Sequence, residues 1–270
     1  MKRYFDRGII YYKLSQRTEL EGSILNLLVL CLVFITAALL HGISGIGFPI
    51  ASTTSLSLFM PLKEAVVLAL WPTLLVNVLS VISGGKIGNI LYKYGLLALF
   101  SLIGSFIGAK LLFLINPAYL QILLSGVIAF YIFTNIRSSN FRLPENPIVL
   151  AFFGLAAGVI GGATNAMSPI LIMCLLTMSN DRHEIARAAN LCFLLGKISQ
   201  LIVLRNEAFE LFSSDYLWPV LILTVLSLFS LFIGTRLRKR ISPQHFRWLV
   251  LILLGVLAVM SAVQALRALV

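Results

Sequence analysis

The chain has 270 residues, of which 59% are hydrophobic and only 11% are charged. A soluble domain carries about 25% charged residues, so this composition excludes a soluble protein and predicts several membrane spans. These spans are expected to be helices, since the alternating pattern of a membrane barrel is absent. The formal net charge is +11. The basic residues lie at the N-terminus and in short connections between apolar segments. Basic residues in such positions typically contact lipid headgroups, which argues against nucleic-acid binding.

Apolar segments follow one another after a polar, basic N-terminal tail at residues 1–22. The first segment lacks a cleavage pattern and is expected to remain as a span. Eight segments approach the ~20 residues that cross a bilayer. They are 24–46, 62–83, 94–115, 118–136, 147–163, 185–204, 216–235 and 245–267.

Two shorter apolar segments, 50–60 and 168–178, are bounded by glycine and proline. At ~1.5 Å per residue each covers about half of the hydrocarbon core, which predicts half-helices or re-entrant segments. The chain crosses the membrane eight times if neither segment crosses fully. The distribution of basic residues between the loops favours nine crossings, with 168–178 as a full span.

The sequence contains an internal duplication. Residues 49–82 align without gaps on 169–202, and a stronger block aligns 101–117 on 227–243. In the second block the pair Lys110 and Arg236 keeps its positive charge. Leucine-rich sequence produces some matches of the first block by chance, but the second block is stronger, so the chain is expected to consist of two similar halves.

The predicted fold is therefore an all-α polytopic membrane protein with two homologous repeats of about four spans each and Gly/Pro-broken helices. The repeats occupy 23–137 and 148–270, and a polar linker at 138–147 joins them. Whether the repeats are parallel or inverted depends on whether the short segments cross. Secondary transporters are commonly built in this way, with the substrate site between the halves.

Each half contains one break rich in glycine and proline, at 41–49 and 158–169. Glycine permits unwound backbone, and proline suits the first turn of a new helix. Such a helix start leaves N–H groups unpaired, and its dipole favours an anion. Polar side chains that merely cap the helices are the alternative, although capping and binding are compatible. The predicted substrate-binding residues at the breaks are Ser44, Gly45, Gly47, Pro49, Ser52, Thr53, Thr164, Asn165, Ser168 and Pro169.

Lys197 lies well inside its span, and Asn77 is the equivalent residue in the alignment of 49–82 on 169–202. A lysine inside a membrane span is energetically costly and marks a functional site by default. Here its positive charge suits an anionic substrate. The alternative is snorkelling, because Leu204 at the end of the span is about 10 Å away along a helix. Gln200 lies one turn further on the same face. Asn77, Lys197 and Gln200 complete the predicted substrate-binding set.

The sequence contains no recognisable catalytic, metal or cofactor motif. The histidines and cysteines are scattered, and no Ser-His-Asp or paired-carboxylate arrangement is present. We therefore expect no enzyme activity, no metal and no cofactor. Acidic residues are nearly absent from the spans, which argues against coupling to H⁺ or Na⁺ through carboxylates, although backbone carbonyls are able to bind Na⁺. The sequence leaves the oligomeric state open.

The two breaks resemble those of the sulfite exporter TauE/SafE family of bacterial and archaeal permeases. The first break reads Gly42-x-x-Gly45-x-Gly47-x-Pro49, and the second reads Gly158-x-x-Gly161-Gly162 before Pro169. The resemblance covers nearly the whole chain after the tail. It implies transport of small sulfur-containing anions such as sulfite, thiosulfate or a sulfonate, in the cytoplasmic membrane of a prokaryote.

The leading interpretation is a secondary transporter that works by alternating access at the interface of its two repeats. Its expected partners are a small anionic substrate, membrane lipids and, where transport is coupled, H⁺ or Na⁺. A non-transporting membrane scaffold or assembly factor is the alternative. That alternative explains the apolar composition but gives no reason for two matching helix breaks.

Overall fold

The computed structural model describes residues 20–57, 59–85, 87–136, 146–179, 181–212, 217–238 and 243–269. Residues 1–19 of the predicted tail and 138–145 of the predicted linker lie outside these ranges. Every regular element in the described ranges is a helix, which confirms the prediction of an all-α protein.

The described residues form twelve helices. In chain order they are α1 (Leu20–Ser44), α2 (Phe48–Leu56), α3 (Leu62–Leu68), α4 (Leu70–Ser83), α5 (Gly88–Leu114), α6 (Pro117–Ile136), α7 (Pro147–Thr164), α8 (Ser168–Met178), α9 (Arg182–Val203), α10 (Arg205–Glu210), α11 (Leu217–Arg238) and α12 (Pro243–Leu269).

Several of these helices are suited to a bilayer. Among the described residues, α1, α5, α7, α9 and α11 are long and apolar enough to cross a membrane, and α3 with α4 adds a sixth candidate if the pair forms one bent span. Helix α8 is apolar but has only 11 residues, about half of a crossing. The protein is thus an integral membrane protein.

The segment predicted as a single span at 62–83 is bent in the structure. Helices α3 and α4 meet at Ala69 with an angle of 47°. Pro72 explains this bend, because it has no N–H for the carbonyl of Leu68 and its ring crowds that carbonyl. After the bend, the indole N–H of Trp71 donates a 2.9 Å hydrogen bond to the carbonyl of Ala208, so Trp71 serves in packing.

Small residues allow two pairs of helices to approach closely. A Cβ on Gly158 of α7 would lie 2.9 Å from Cα of Gly104 on α5. A Cβ on Gly42 of α1 would likewise lie 2.7 Å from Cα of Gly234 on α11. No real Cβ fits at these distances, so α5 packs on α7 and α1 on α11 through glycine, as is typical of membrane helices.

The direction of the central helices follows from their contacts. Helix α4 runs antiparallel to the α9–α10 segment, since Trp71 bonds Ala208 while Gly84 lies against Arg187 at the other end. Helix α9 runs parallel to α5, as shown by the pairs Tyr94–Glu184 and Ser105–Gly196 further along.

Helices α7 and α8 form a helical hairpin. Gly154, near the start of α7, lies against Leu97 on α5. After the turn at Asn165, α8 leads back toward the same end of α5, because the Ser179 hydroxyl after α8 donates to a Glu184 carboxylate that also accepts from Tyr94. The tip of this hairpin therefore lies deep among the central helices, where the candidate site is found.

Candidate functional site

The first break lies between α1 and α2. Gly45 and Gly47 have φ values of 83° and 106°, a left-handed region that glycine adopts without strain. The Phe48 N–H at the start of α2 donates to Nδ1 of His41 at 3.2 Å. His41 Nε2 therefore carries the proton and lies 3.2 Å from the Ser80 hydroxyl. An imidazole thus satisfies the first free N–H group of α2.

The second break lies between α7 and α8. Asn165 has a φ of 61° and is the one described non-glycine residue with a positive φ. Asparagine tolerates this conformation better than most residues. Helix α8 then begins at Ser168 without a side-chain cap, and the buried Ser168 hydroxyl has no hydrogen-bond partner among the described residues. This helix start differs from that of α2, where His41 fills the corresponding position.

Asn165 is the centre of a buried polar cluster. Its side-chain oxygen accepts hydrogen bonds from the Lys197 ammonium at 2.5 Å and from the Gln200 amide at 2.9 Å. Its side-chain nitrogen donates to the Thr53 hydroxyl of α2 at 2.7 Å. The Gln200 amide also donates to the carbonyl of Gly162 at 2.7 Å. The cluster thereby joins α2, the α7–α8 hairpin and α9.

The Lys197 ammonium is buried in this cluster, and its residue is only 5% exposed. Besides Asn165, it donates to the side-chain oxygen of Gln200 at 2.5 Å. In the described residues no carboxylate forms an ion pair with it. The ammonium therefore points into the protein rather than toward the helix end, which argues against the snorkelling interpretation.

A small cavity adjoins the cluster. Its volume is about 20 Å³, which admits about one water molecule. This space is too small for an oxyanion, so the walls must move apart to admit one. The cavity is lined by Pro49, Ser105, Gly161, Asn165, Met167, Phe193, Gly196, Lys197 and Gln200.

The profile of the sulfite exporter TauE/SafE family matches residues 30–261 of this chain. The match includes both breaks, the Lys197 cluster and most of the described helices. The chain belongs to the TauE/SafE family. No significant match was found among curated proteins or among solved structures. Membership makes the chain a membrane permease of a transporter family and implies a small anionic substrate.

The TauE/SafE chain brings together some of the residues that the sequence predicts for binding. Thr53, Asn165, Lys197 and Gln200 share hydrogen bonds, and Pro49 lines the cavity beside them. These five come from both halves of the chain.

Other predicted residues are buried but outside this hydrogen-bonded cluster. The hydroxyls of Ser44, Ser52 and Thr164 donate to backbone carbonyls of their own segments, namely Ile46, Phe48 and Ile160. These bonds stay within the local backbone, so the three hydroxyls serve their own segments. Gly45, Gly47, Ser168 and Pro169 are also buried at the breaks.

Asn77 is fully buried on α4, and neither its side-chain nitrogen nor its side-chain oxygen has a hydrogen-bond partner among the described residues. Thr73, one turn earlier, is also buried with an unpartnered hydroxyl. Asn77 is not part of the cavity wall.

Several residues around the site were not predicted. Ser105, Met167, Phe193 and Gly196 line the cavity. Ser105 lies on the part of α5 that packs against α7. The sequence contains one indication of this cavity. Gly196 precedes Lys197, and a glycine leaves space beside a buried charge.

Two polar residues hold the first break in place and were also not predicted. The Asn190 amide donates to the carbonyls of Gly45 and Ala186, both at 2.7 Å. Nε of Arg238 donates to the carbonyls of Gly42 and Ile43 at 2.9 and 3.0 Å. The guanidinium of Arg238 thereby completes the last turn of α1.

Proposed function

We propose that this TauE/SafE permease is a secondary transporter of a small sulfur-containing anion, such as sulfite, thiosulfate or a sulfonate, in the cytoplasmic membrane of a prokaryote. The observation that carries the proposal is the buried Lys197 ammonium, whose described partners are the neutral amides of Asn165 and Gln200. A buried charge without a counter-charge is costly. A bound anion offsets that cost, so the site is suited to a negatively charged ligand.

The start of α8, three residues after Asn165, also favours a nearby anion. Ser168 and Pro169 begin this helix next to Asn165, and no side chain caps its first turn. The dipole and the free N–H groups of a helix start favour an oxyanion. The start of α2 is less suited, because the Phe48 N–H already donates to His41. The second break is therefore the stronger candidate for substrate binding.

We infer that the chain consists of two repeats, at 23–137 and 148–270, with 138–147 between them. Aligning the repeats makes α1 equivalent to α7 and α5 equivalent to α11. The packing of α1 on α11 and of α7 on α5 is then the same contact made twice, as expected for two related halves.

The same alignment favours inverted repeats. It makes α3–α4 equivalent to α9, and α4 runs antiparallel to α9. Two equivalent membrane helices that run in opposite directions require an axis in the membrane plane, which is the inverted arrangement of many transporters. The α7–α8 hairpin then acts as a re-entrant element that enters and returns on one side.

The cavity supports alternating access between these repeats. Pro49 and Ser105 of the first half and Lys197 of the second half contribute to its wall. Its small volume means that binding of an oxyanion requires a change of conformation. Relative movement of the halves opens the site to one side at a time, in the manner of transporters with a central site.

Anion counterflow in proteoliposomes tests this proposal. Vesicles loaded with unlabelled anion are supplied with labelled sulfite, thiosulfate, methanesulfonate or acetate. Wild type and Lys197→Met are compared, with Lys110→Met as the control because Lys110 is an exposed lysine on α5. We expect exchange of at least one sulfur anion, reduced at least about tenfold in Lys197→Met and unchanged in Lys110→Met.

The possible outcomes separate the function from the site. Exchange that Lys197→Met leaves intact overturns the assignment of Lys197 but keeps a transporter. Absence of exchange for all of these anions, with protein that melts cooperatively, overturns the proposed substrate class and favours the scaffold alternative.

A further inference from the structure

We propose that Ser105 supplies a third hydrogen-bond donor to the bound anion and sets a preference for heads with three oxygens, such as sulfite and sulfonates, over carboxylates. The inference rests on the proposed anion transport, and it assigns to α5 a role in substrate selection. The inference is based on hydrogen-bond donors at the cavity that have no partner among the described residues.

The Ser105 hydroxyl lies at the cavity and has no hydrogen-bond partner among the described residues. The residue is 1% exposed, it lines the cavity, and Oγ has no hydrogen-bond partner among the described residues. Oγ would lie 2.7 Å from a Cβ on Gly196, so it faces the residue next to Lys197. A buried hydroxyl without a partner is unfavourable, and a ligand oxygen in the cavity removes that deficit.

Close packing fixes the position of Ser105. On its α7 side, a Cβ on Gly162 would lie 2.8 Å from Cα of Ser105. On its α9 side is Gly196. Glycine at both neighbours brings three helices together at this hydroxyl, so its position is set by backbone packing.

The donors around the cavity can be counted. The Lys197 ammonium has three N–H groups and uses two, on Asn165 and Gln200. The Asn165 amide has two N–H groups, of which one goes to Thr53. The Gln200 amide uses both of its N–H groups, on Gly162 and Asn165. With the Ser105 hydroxyl, the side chains that line the cavity keep three donors without a partner among the described residues, one each from α9, the α7–α8 turn and α5.

Three donors from three directions match an anion with three oxygens on a pyramidal centre. The acceptor sites of a carboxylate's two oxygens all lie near one plane, so three donors that converge from three different helical segments do not all align with them. A binding site discriminates strongly against a ligand that leaves a buried polar group unpaired. The spare donors of Lys197 and Asn165 belong to groups that bond each other, whereas Ser105 comes from α5, so Ser105 is the donor that we infer a carboxylate leaves unpaired.

The cavity is able to grow without disturbing Ser105. The Met167 side chain lies between Gly161 and Gly196, as shown by the contacts that a Cβ on either glycine would make with it. Methionine is flexible and adapts to changes in cavity shape. Movement of Met167 gives space to the anion while the backbone contacts of α5 remain.

Substitution of Ser105 tests the proposal in the counterflow assay with methanesulfonate, and with acetate as the competitor. Ser101→Ala is the matched control, because Ser101 is equally buried and unpartnered one turn away on α5 but does not line the cavity. We expect Ser105→Ala to raise the half-saturation concentration of methanesulfonate about tenfold. Competition by acetate is expected to change by less than about twofold, and Ser101→Ala is expected to alter neither value.

Ser105→Cys separates hydrogen bonding from packing, because a thiol fills the space but is a weak donor. We expect it to behave like Ser105→Ala, and it carries the test if the alanine variant does not fold. Recovery of wild-type affinity in Ser105→Cys, equal losses for methanesulfonate and acetate, or equal effects of Ser105→Ala and Ser101→Ala overturn the proposal. Failure of the proposed function looks different, since the wild type then exchanges no anion.

Discussion

The side-chain amide of Asn165 donates a 2.7 Å hydrogen bond to the hydroxyl of Thr53, which precedes it by 112 positions. This bond joins the α7–α8 turn to α2, and so connects the two broken regions of the chain. Because the same amide also accepts from Lys197 and Gln200, Asn165 links the first half to the buried charge of the second.

Asn165 has a structural and a chemical role that two substitutions separate. Its φ of 61° suits asparagine and glycine, whereas alanine in this region is strained by about 1–2 kcal/mol. Asn165→Gly keeps the backbone but removes three side-chain hydrogen bonds. We expect both variants to lose anion exchange, and Asn165→Ala to melt at a lower temperature than Asn165→Gly. Thermal unfolding in detergent measures the difference, and an alanine variant as stable as the glycine variant contradicts the assignment.

The sequence predicts the positions of the helices well, because a bilayer imposes length and hydrophobicity on them. The segments predicted at 147–163 and 168–178 correspond to α7 and α8 of the structure. The bend at Ala69 was missed, although Pro72 is its local cause. Proline in a membrane helix is compatible with either a straight or a bent course, and the packing around it selects one.

The candidate site is predictable only in part. Lys197 and Asn165 stand out because a charge and an amide in apolar segments are costly unless they are used. Ser105, Asn190 and Arg238 carry no such signal. Their roles depend on which helices face one another, and hydropathy does not encode the contact of α5 with α9 or of α11 with the end of α1.

The close contact between α5 and α7 predicts that Gly104 of α5 does not tolerate a side chain. In Gly104→Ala the new methyl group meets backbone of α7, with Cα of Gly158 only 3.0 Å away. The helices must separate, so we expect a loss of several kcal/mol and a clearly lower melting temperature. Gly95→Ala on the same helix is the control, since its nearest neighbour is the Leu91 side chain at 3.8 Å. Alanine there is expected to be neutral or stabilising by about 0.5–1 kcal/mol.

The end of α1 depends on a guanidinium from α11. In Arg238→Met the carbonyls of Gly42 and Ile43 lose the donor that now lies 2.9 and 3.0 Å away. We expect a loss of about 1–3 kcal/mol, because each unsatisfied buried carbonyl is unfavourable. Arg236→Met is the control on the same helix, since Arg236 is exposed and lies over the ring of Phe232. Equal melting temperatures for the two variants argue against this role of Arg238.

Glu184 takes part in both an ion pair and a hydrogen-bond network at the start of α9. Lys93 lies 2.9 Å from Glu184, but the two side chains are 39% and 25% exposed. Such a pair contributes at most about 1 kcal/mol and weakens in salt. Glu184 also accepts from Tyr94 at 3.0 Å and from Ser179 at 2.5 Å, so it anchors the start of α9 to α5 and to the end of α8.

We therefore expect Glu184→Ala to destabilise the protein by about 2–3 kcal/mol and Lys93→Met by less than about 1 kcal/mol. Tyr94→Phe removes a hydroxyl only and is expected to fall between them. Melting curves of the single variants and of the double variant at low and high salt give the coupling between Lys93 and Glu184. If Lys93→Met costs as much as Glu184→Ala, and the loss disappears in salt, the ion pair rather than the network holds α9 in place.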